Sequence, residues 1–512
     1  MNVANPAVGD QSQELSWAEA GRQPRIAVIG AGFSGMGTII KLREAGFDDI
    51  TCFEKAQTLG GTWRDNTYPG LSCDVPSHWY SYSFELNPNW KHRFSYGPEI
   101  SAYQETVAKK YGLFDAIRFA DGVSEIHYLG REWKLISEKS GEQIFDFVIA
   151  ATGVLVNPAY PDIKGLESFK GDKFHSARWQ HDVSLKGKRV GIIGTGSTAC
   201  QIVGAIKDDI GHLDVYQRTP HWITPMAQKE YSSTWKGLLR TFPFIQKFIR
   251  NVIRSRMEQT FGEATLGNVE QQQKIEQACL KHLENQVPDP ELRAELTPDY
   301  RATCKRLILC SDYYPALCQD NVDLVTDDID QIEPGGIRTK DGVLHEHDVL
   351  VLATGFQAGD FILPTEVYGE EGQSLREFWG GLPRAHRAMT FPGFPNFWML
   401  EGPTGVFGNT SLIDITEHQL EYLVSVLTTM REQKVISIAP KQEAYTAYNA
   451  DMSAAIKTST WATGGCDSWY LDASGSPNIY PWLPDVYREE MRNPDFSEYH
   501  MVTRQNEPVA AE

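Results

Sequence analysis

One pattern constrains this chain more than any other, and it occurs twice: an apolar strand runs straight into a glycine turn that opens a helix. In the first copy, Arg25-Ile-Ala-Val-Ile-Gly30 is an apolar run of the kind buried in a parallel sheet. Gly30-Ala-Gly32-Phe33-Ser34-Gly35 follows at once. Helical spacing continues through Met36, Ile39, Ile40 and Leu42 to Gly46. A second strand, Ile50-Thr-Cys-Phe53, then ends on Glu54, with Lys55 beside it. Strand, turn, helix, strand and acid in this order are a dinucleotide-binding fingerprint. Its glycines let backbone N–H groups approach a pyrophosphate at the helix N-terminus, and Glu54 can accept from a ribose hydroxyl. Gly60-Gly61-Thr62-Trp63 follows, and its glycines permit further close approach to a ligand, which favours FAD over NAD at this first site.

The second copy differs informatively. Arg189-Val-Gly-Ile-Ile193 leads into Gly194-Thr195-Gly196-Ser197-Thr198-Ala199, a helix to Ile206 and a strand Leu213–Tyr216. The third glycine is Ala199, and the second strand ends Gln217-Arg218-Thr219 with no acid. An arginine there pairs with a 2′-phosphate where a carboxylate would accept from a free 2′-hydroxyl, so NADPH is the expected nucleotide. Around this copy stand two near-identical runs, Phe145-Asp-Phe-Val-Ile-Ala-Ala-Thr-Gly153 and His347-Asp-Val-Leu-Val-Leu-Ala-Thr354-Gly355-Phe356. Each reads as a strand ending in a turn.

A chain of 512 residues exceeds one ordinary core. The expected fold is α/β, with two Rossmann-like dinucleotide-binding domains and a helical insertion in the NADPH domain. The expected division is a flexible tail over 1–24, a FAD domain over 25–154, an NADPH domain over 155–350 and the rest of the FAD domain over 351–512. The insertion spans about 226–300. It holds an amphipathic segment Phe244–Ile253, with Pro243 opening the helix, and a second helix over Gln271–Glu284. Its cations, Lys236, Arg240, Lys247, Arg250, Arg254 and Arg256, stand out in an acidic chain. A membrane-surface helix is one reading; packing of the apolar face on the domain is preferred, so membrane association is not expected.

A net charge of −19 argues against nucleic acid as a partner. No apolar run approaches the ~20 residues that span a bilayer. Met1–Gln23 is polar and lacks the pattern of a secretory leader. The eight cysteines are scattered, with no Cys-x-x-Cys, which predicts neither a metal site nor a redox pair and fits a reducing cytoplasm. Asp74 reads as a turn acid or as a buried acid near the flavin. Lys305-Arg306 precedes an apolar strand, Glu401–Asn409 is a glycine-containing loop before a helix Thr416–Met430, and Asp467-Ser-Trp469-Tyr470 reads as an aromatic cluster in a late loop.

Between the two fingerprints lies Phe169-Lys-Gly171-Asp-Lys-Phe-His175-Ser-Ala-Arg-Trp179. By its composition this is a linker between domains with a buried aromatic or two. It also resembles the signature of type I Baeyer–Villiger monooxygenases, Phe-x-Gly-x-x-x-His-x-x-x-Trp. Gln180 departs from the family's usual Pro or Asp, and the N- and S-oxygenating branch carries Tyr or Phe where Trp179 stands. The resemblance covers the order of motifs from about residue 25 to about 490. Disulfide reductases share the outline but require a redox-active cysteine pair beside the flavin.

The resemblance implies that NADPH reduces FAD, that O2 adds to the flavin at C4a, and that the peroxide converts a ketone to an ester or lactone. It matches Arg306 to the active-site arginine that stabilises the peroxide and the adduct. It matches Asp74 to the acid holding that arginine, Lys305 to a partner of Arg218 at the 2′-phosphate, and Trp469 to a tryptophan near the nicotinamide ribose. His175 matches the signature histidine, which in the family serves domain movement. The alternatives are an N- or S-oxygenating enzyme and a non-catalytic flavoprotein on the same scaffold.

Overall fold

The computed structural model describes residues 16–405, 410–466, 470–472, 474–475 and 478–503. Two five-stranded, all-parallel sheets organise it. The first runs Phe397–Met399, Phe147–Ala150, Ile26–Ile29, Ile50–Glu54, Ile117–Phe119. The second runs Asp172–His175, Val349–Leu352, Arg189–Ile193, His212–Tyr216, Val322–Val325. Position by position the two sheets correspond, and the near-identical sequence runs are their equivalent second strands. Helices cover both faces of such sheets, so the strands read as continuous apolar runs: Ile26, Ala27, Val28, Val349, Leu350 and Val351 are wholly buried.

Each fingerprint helix, Phe33–Glu44 and Ser197–Ile206, starts directly at its glycine turn. Ahead of each second strand comes an antiparallel meander, Val123–Tyr128 to Gly141–Phe145 in one half and Ile329–Glu333 to Leu344–Glu346 in the other. Between the fourth and fifth strands of the second sheet lie helices Ser233–Thr241, Pro243–Met257, Val269–Gln286 and Pro290–Glu295. Pro243 occupies the first helical turn, where its missing N–H costs nothing. A short parallel pair, Ile223–Thr224 with Ile308–Leu309, closes this helical segment.

Five expectations change. Residues 16–24 are not a loose tail: Ser16 caps a helix Trp17–Ala20, and the buried Trp17 ring packs edge-on against Phe147 and donates from Nε1 to the Ile436 carbonyl at 3.3 Å. The stretch Phe169–Trp179 is not a linker, because Asp172–His175 forms the outer strand of the second sheet, in register with Val349–Leu352. A domain boundary at 350/351 would cut through that latter strand, which belongs wholly to the second sheet. Helix Pro243–Met257 packs Ile253 and Met257 on the core as expected, but it also buries Gln246 and Arg250 and leaves Phe244 at 70% and Phe248 at 68% exposure, so only part of its apolar face is covered. The reason is electrostatic: Arg250 pairs with the buried Asp414 and, at 3.4 Å, with Glu417 on helix Leu412–Gln433, and buried carboxylates need a cation more than a phenyl ring needs cover. Finally, Cys304 and Cys466, 162 residues apart, form a disulfide, where the scattered cysteines predicted no pair. Among the described residues no helix is long and apolar enough to cross a membrane.

Candidate active site and its two nucleotide cavities

The first cavity opens at the C-terminal ends of the first sheet's strands, where such sheets bind ligands. Gly30, Gly32, Phe33, Ser34, Glu54, Lys55, Gly61, Thr62 and Trp63 all line it. The turn has no room for side chains: Gly30 has φ +102°, and a Cβ there would stand 2.7 Å from the Ala151 carbonyl oxygen. Gly35 does not line the cavity. Its Cβ would meet the Gly30 carbonyl oxygen at 1.8 Å, so it serves the close packing of helix on turn. Glu54 accepts from the Ala31 and Ala56 amides, both at 2.9 Å, and pairs with Arg64 at 3.0 Å. The acid thus braces the turn while standing on the cavity wall. Such a cradle of bare backbone with an acid at the second strand's end fits FAD.

The second cavity holds Gly194, Thr195, Gly196, Ser197, Arg218, Thr219, Lys305, Arg306, Thr354 and Gly355 together. Gly194 repeats the first turn, with φ +116° and a Cβ position 2.4 Å from the Ala353 carbonyl oxygen. Thr198 does not line this cavity. Two cations from distant segments, the exposed Arg218 and the half-buried Lys305, line the same cavity, with Lys305 Nζ 5.1 Å from the centre of the Tyr300 ring. Asp327 and Asp328 line the same cavity, and the pair of cations beside them fits the 2′-phosphate of NADP.

Arg306 lies on the wall of that cavity and is clamped from behind. Its Nε donates to Asp74 Oδ2 at 2.9 Å, and its Nη2 reaches both carboxylate oxygens at 2.7 Å. Asp74 arrives on a strap from the first domain that lies across helix Ser197–Ile206. Tyr68 donates to Gln201 Oε1 at 3.1 Å, Gln201 Nε2 donates to the Ser72 carbonyl at 3.0 Å, and Gly70 approaches the Gln201 carbonyl too closely for a Cβ. The ion pair therefore joins the two domains. Asp74 raises the Arg306 guanidinium well above its ordinary value, outweighing the cost of burial, and Tyr470 adds a hydrogen bond. The Arg306 loop is tied to the C-terminal segment by the Cys304–Cys466 bridge and by the Arg301 amide, which donates to the Gly464 carbonyl at 2.9 Å.

His175 is buried and lines neither nucleotide cavity. Its Nδ1 accepts from the Ala177 amide at 3.1 Å, and its ring meets Tyr160 and Phe356. Burial lowers its pKa, with the Gly355 backbone opposing. Trp469 lies outside the described residues, as do 406–409 of the glycine-containing loop.

Sequence reasoning missed two residues of the site. Tyr470 appeared only as part of an aromatic cluster, and only the fold brings it to Arg306. Glu401 lines the first cavity fully enclosed, accepting from Ser34 Oγ at 2.8 Å and Thr416 Oγ1 at 2.6 Å, and burial raises its pKa. No local pattern marks it, since Ser34 is 367 residues away.

The family model described as flavin-binding monooxygenase-like matches residues 23–364. The chain belongs to this family. Within it, a Baeyer–Villiger monooxygenase of Streptomyces coelicolor is 40% identical over 490 residues, covering 93% of this chain and 92% of that one. One of Pseudomonas aeruginosa is 38% identical over 497 residues, covering 96% and 93%. Among solved structures, cyclohexanone monooxygenase from Rhodococcus bound to NADP+ aligns with TM-score 0.83 at 26% identity, over 94% of this chain and 99% of that one. A complex of OTEMO with FAD and NADP aligns with TM-score 0.84 at 26% identity, over 94% and 100%. The chain is an NADPH-dependent flavin monooxygenase of the Baeyer–Villiger group, with FAD and NADP as its cofactors.

Proposed function

We propose that this monooxygenase converts a ketone to an ester or lactone, consuming NADPH and O2 and releasing NADP+ and water. The observation that carries the reading is the Arg306–Asp74 clamp, which holds a permanent cation on the wall of the nucleotide cavity. FAD, once reduced by NADPH, supplies the oxygen-activating chemistry.

The chain's own residues do the rest. Negative charge develops on the attacking oxygen and then on the former carbonyl oxygen. A fixed guanidinium meets that charge without reorganising, an effect worth ~3–4 kcal/mol for a good donor. Arginine serves because it stays protonated when enclosed, where a lysine risks losing its proton. Asp74 holds the fork in one orientation through Nε and Nη2 by charge-assisted bonds, and Tyr470 adds a further hydrogen bond. Lys305 and Arg218 bind the nucleotide 2′-phosphate. Glu54 positions the flavin's ribose, with Lys55 beside it. His175 is a positioning residue: through Nδ1 it accepts from the Ala177 amide at the end of its strand, and its ring packs on Tyr160 and on Phe356, next to the Thr354–Gly355 turn. The matched role of Trp469 at the nicotinamide ribose completes the set. Closure around retained nucleotide keeps water from the reacting oxygen, since leakage yields hydrogen peroxide.

The test is a ketone panel, from small cyclic to bulky polycyclic, with NADPH consumption and ester formation measured together. Ketone-dependent ester formation supports the reading. Oxygenation of amines or sulfides with no ester from any ketone would move the chain to the N- and S-oxygenating branch. Absence of bound flavin and of NADPH consumption would make it a non-catalytic member.

A further inference from the structure

One face of helix Pro243–Met257 leaves a surface that the reaction does not explain. From Tyr231 to Met257 the chain has no Asp or Glu but six cations, in a protein of net charge −19. The helix Pro243–Met257 shows Phe244, Phe248 and Val252 to solvent along one i, i+4 row. On a helical projection the exposed Lys247 flanks this row on one side and the exposed Arg256 on the other. Phe242 and Leu238 from the preceding turn and helix extend the apolar area, and the Phe242 and Phe244 rings meet edge-on at 6.0 Å. The opposite face is committed to the interior through Arg250, Asp414 and Glu417, so the helix cannot roll to hide its phenyl rings.

We propose that this face docks on an anionic phospholipid surface, with the phenylalanines entering the boundary between headgroups and acyl chains and the flanking cations meeting lipid phosphates. The geometry is that of an interfacial helix: a distinct apolar row, cations at its edges, and no acid to repel the surface. A second copy of the chain suits the face poorly. A two-fold interface would set Lys247 and Arg256 of one copy against the same cations of the other, and like-charge contact costs several kcal/mol. The attachment is peripheral, in keeping with the lack of a membrane-crossing helix among the described residues. It adds a membrane-facing row to a helix whose Ile253 and Met257 still pack on the core. It also stands whether or not the proposed reaction does.

The experiment is co-sedimentation of the full-length, flavin-loaded protein with vesicles of phosphatidylcholine alone and of phosphatidylcholine containing about one part in four phosphatidylglycerol. Preferential binding to the anionic vesicles is expected, falling at least ~10-fold in the bound-to-free ratio when salt is raised to ~0.5 M. The pair F244S and F248S should abolish binding, and K247E with R256E should remove the anionic preference. These residues lie outside the nucleotide cavities, so flavin absorbance and NADPH oxidation should be unchanged and report an intact fold. Absence of binding, or equal binding to both vesicle types, overturns the proposal. So does a lipid-free dimer that F244S with F248S dissolves, because the face would then be an interface between copies.

Discussion

Arg306 is useful because its charge is permanent, its position is braced and one side stays open to the cavity. Arg306→Ala should leave reduction of the flavin by NADPH intact while lowering ester formation by a factor on the order of 10²–10³. Rapid-mixing absorbance for the first step and product analysis for the second separate the two; an unchanged ester yield would remove Arg306 from the chemistry. Lys305→Ala and Arg218→Ala should each raise KM for NADPH at least ~10-fold, with little effect on KM for NADH, since only the former carries the extra phosphate. At this scale the sequence was legible where contacts are local. Glu54 and Arg218 stand at fixed distances from their own glycine turns, so the fingerprint finds them. Asp74 and Arg306 are 232 residues apart, and only a resemblance joined them before the fold did. Tyr470 and Glu401 had neither a local pattern nor a matched motif.

Elements show how a buried charge overrules periodicity. The apolar spacing correctly indicates a helix and seats Ile253 and Met257 inward, but it misplaces Phe244, Phe248 and Val252, because the decisive partners, Asp414 and Glu417, are 164 and 167 residues from Arg250. Arg250→Leu should therefore destabilise by about 3–5 kcal/mol, since it strands buried carboxylates without a cation. Thermal unfolding should detect this, while Phe248→Ser on the exposed face leaves the midpoint nearly unchanged. A second cluster links elements near the C-terminus: Glu498 accepts from His386 Nε2 at 3.0 Å and from Arg387 Nη2 at 2.7 Å. Glu490 stands 3.3 Å from Arg387 on its other side, and Arg387 also lies over the Tyr448 ring. Burial pushes the Glu498 carboxyl up, but the His386 and Arg387 bonds prevail and bring it from 4.5 to about 2. A carboxyl lowered in the folded state stabilises above its unfolded value, and that contribution fades as pH falls from 4.5 towards 2. Burial lowers the pKa of His386, which adds an acid-side loss in the same direction. Glu498→Gln should flatten the fall in stability across this window, read from denaturant midpoints against pH.

For the whole molecule, the two-domain plan was readable because the same fingerprint occurs twice and the same strand-to-turn run closes each half. What stayed hidden were pairings between remote segments: the outer strand Asp172–His175, the seat of Trp17 and the Cys304–Cys466 bridge. The bridge joins the Arg306 loop to the segment that leads to Tyr470. A non-reducing digest should yield these two cysteines in one cross-linked peptide pair. Reduction, or Cys304→Ser, should raise the hydrogen peroxide released per NADPH by loosening that loop; an unchanged ratio would show that the loop holds its shape without the bridge.

The order of the strands also fixes an order in time. Every strand of the second sheet has been made once the chain reaches Leu352, so that sheet can form while synthesis continues, whereas Arg250 and the Arg306 loop wait for Asp414, Glu417 and Cys466. The first sheet cannot. Its outer strand is Phe397–Met399, and Trp17 waits for the carbonyl of Ile436. The half of the molecule that begins first is thus finished last. A nascent chain emerging from the ribosome would carry a formed nucleotide-domain sheet beside an open flavin cradle, ready to take up FAD as its last wall is laid down.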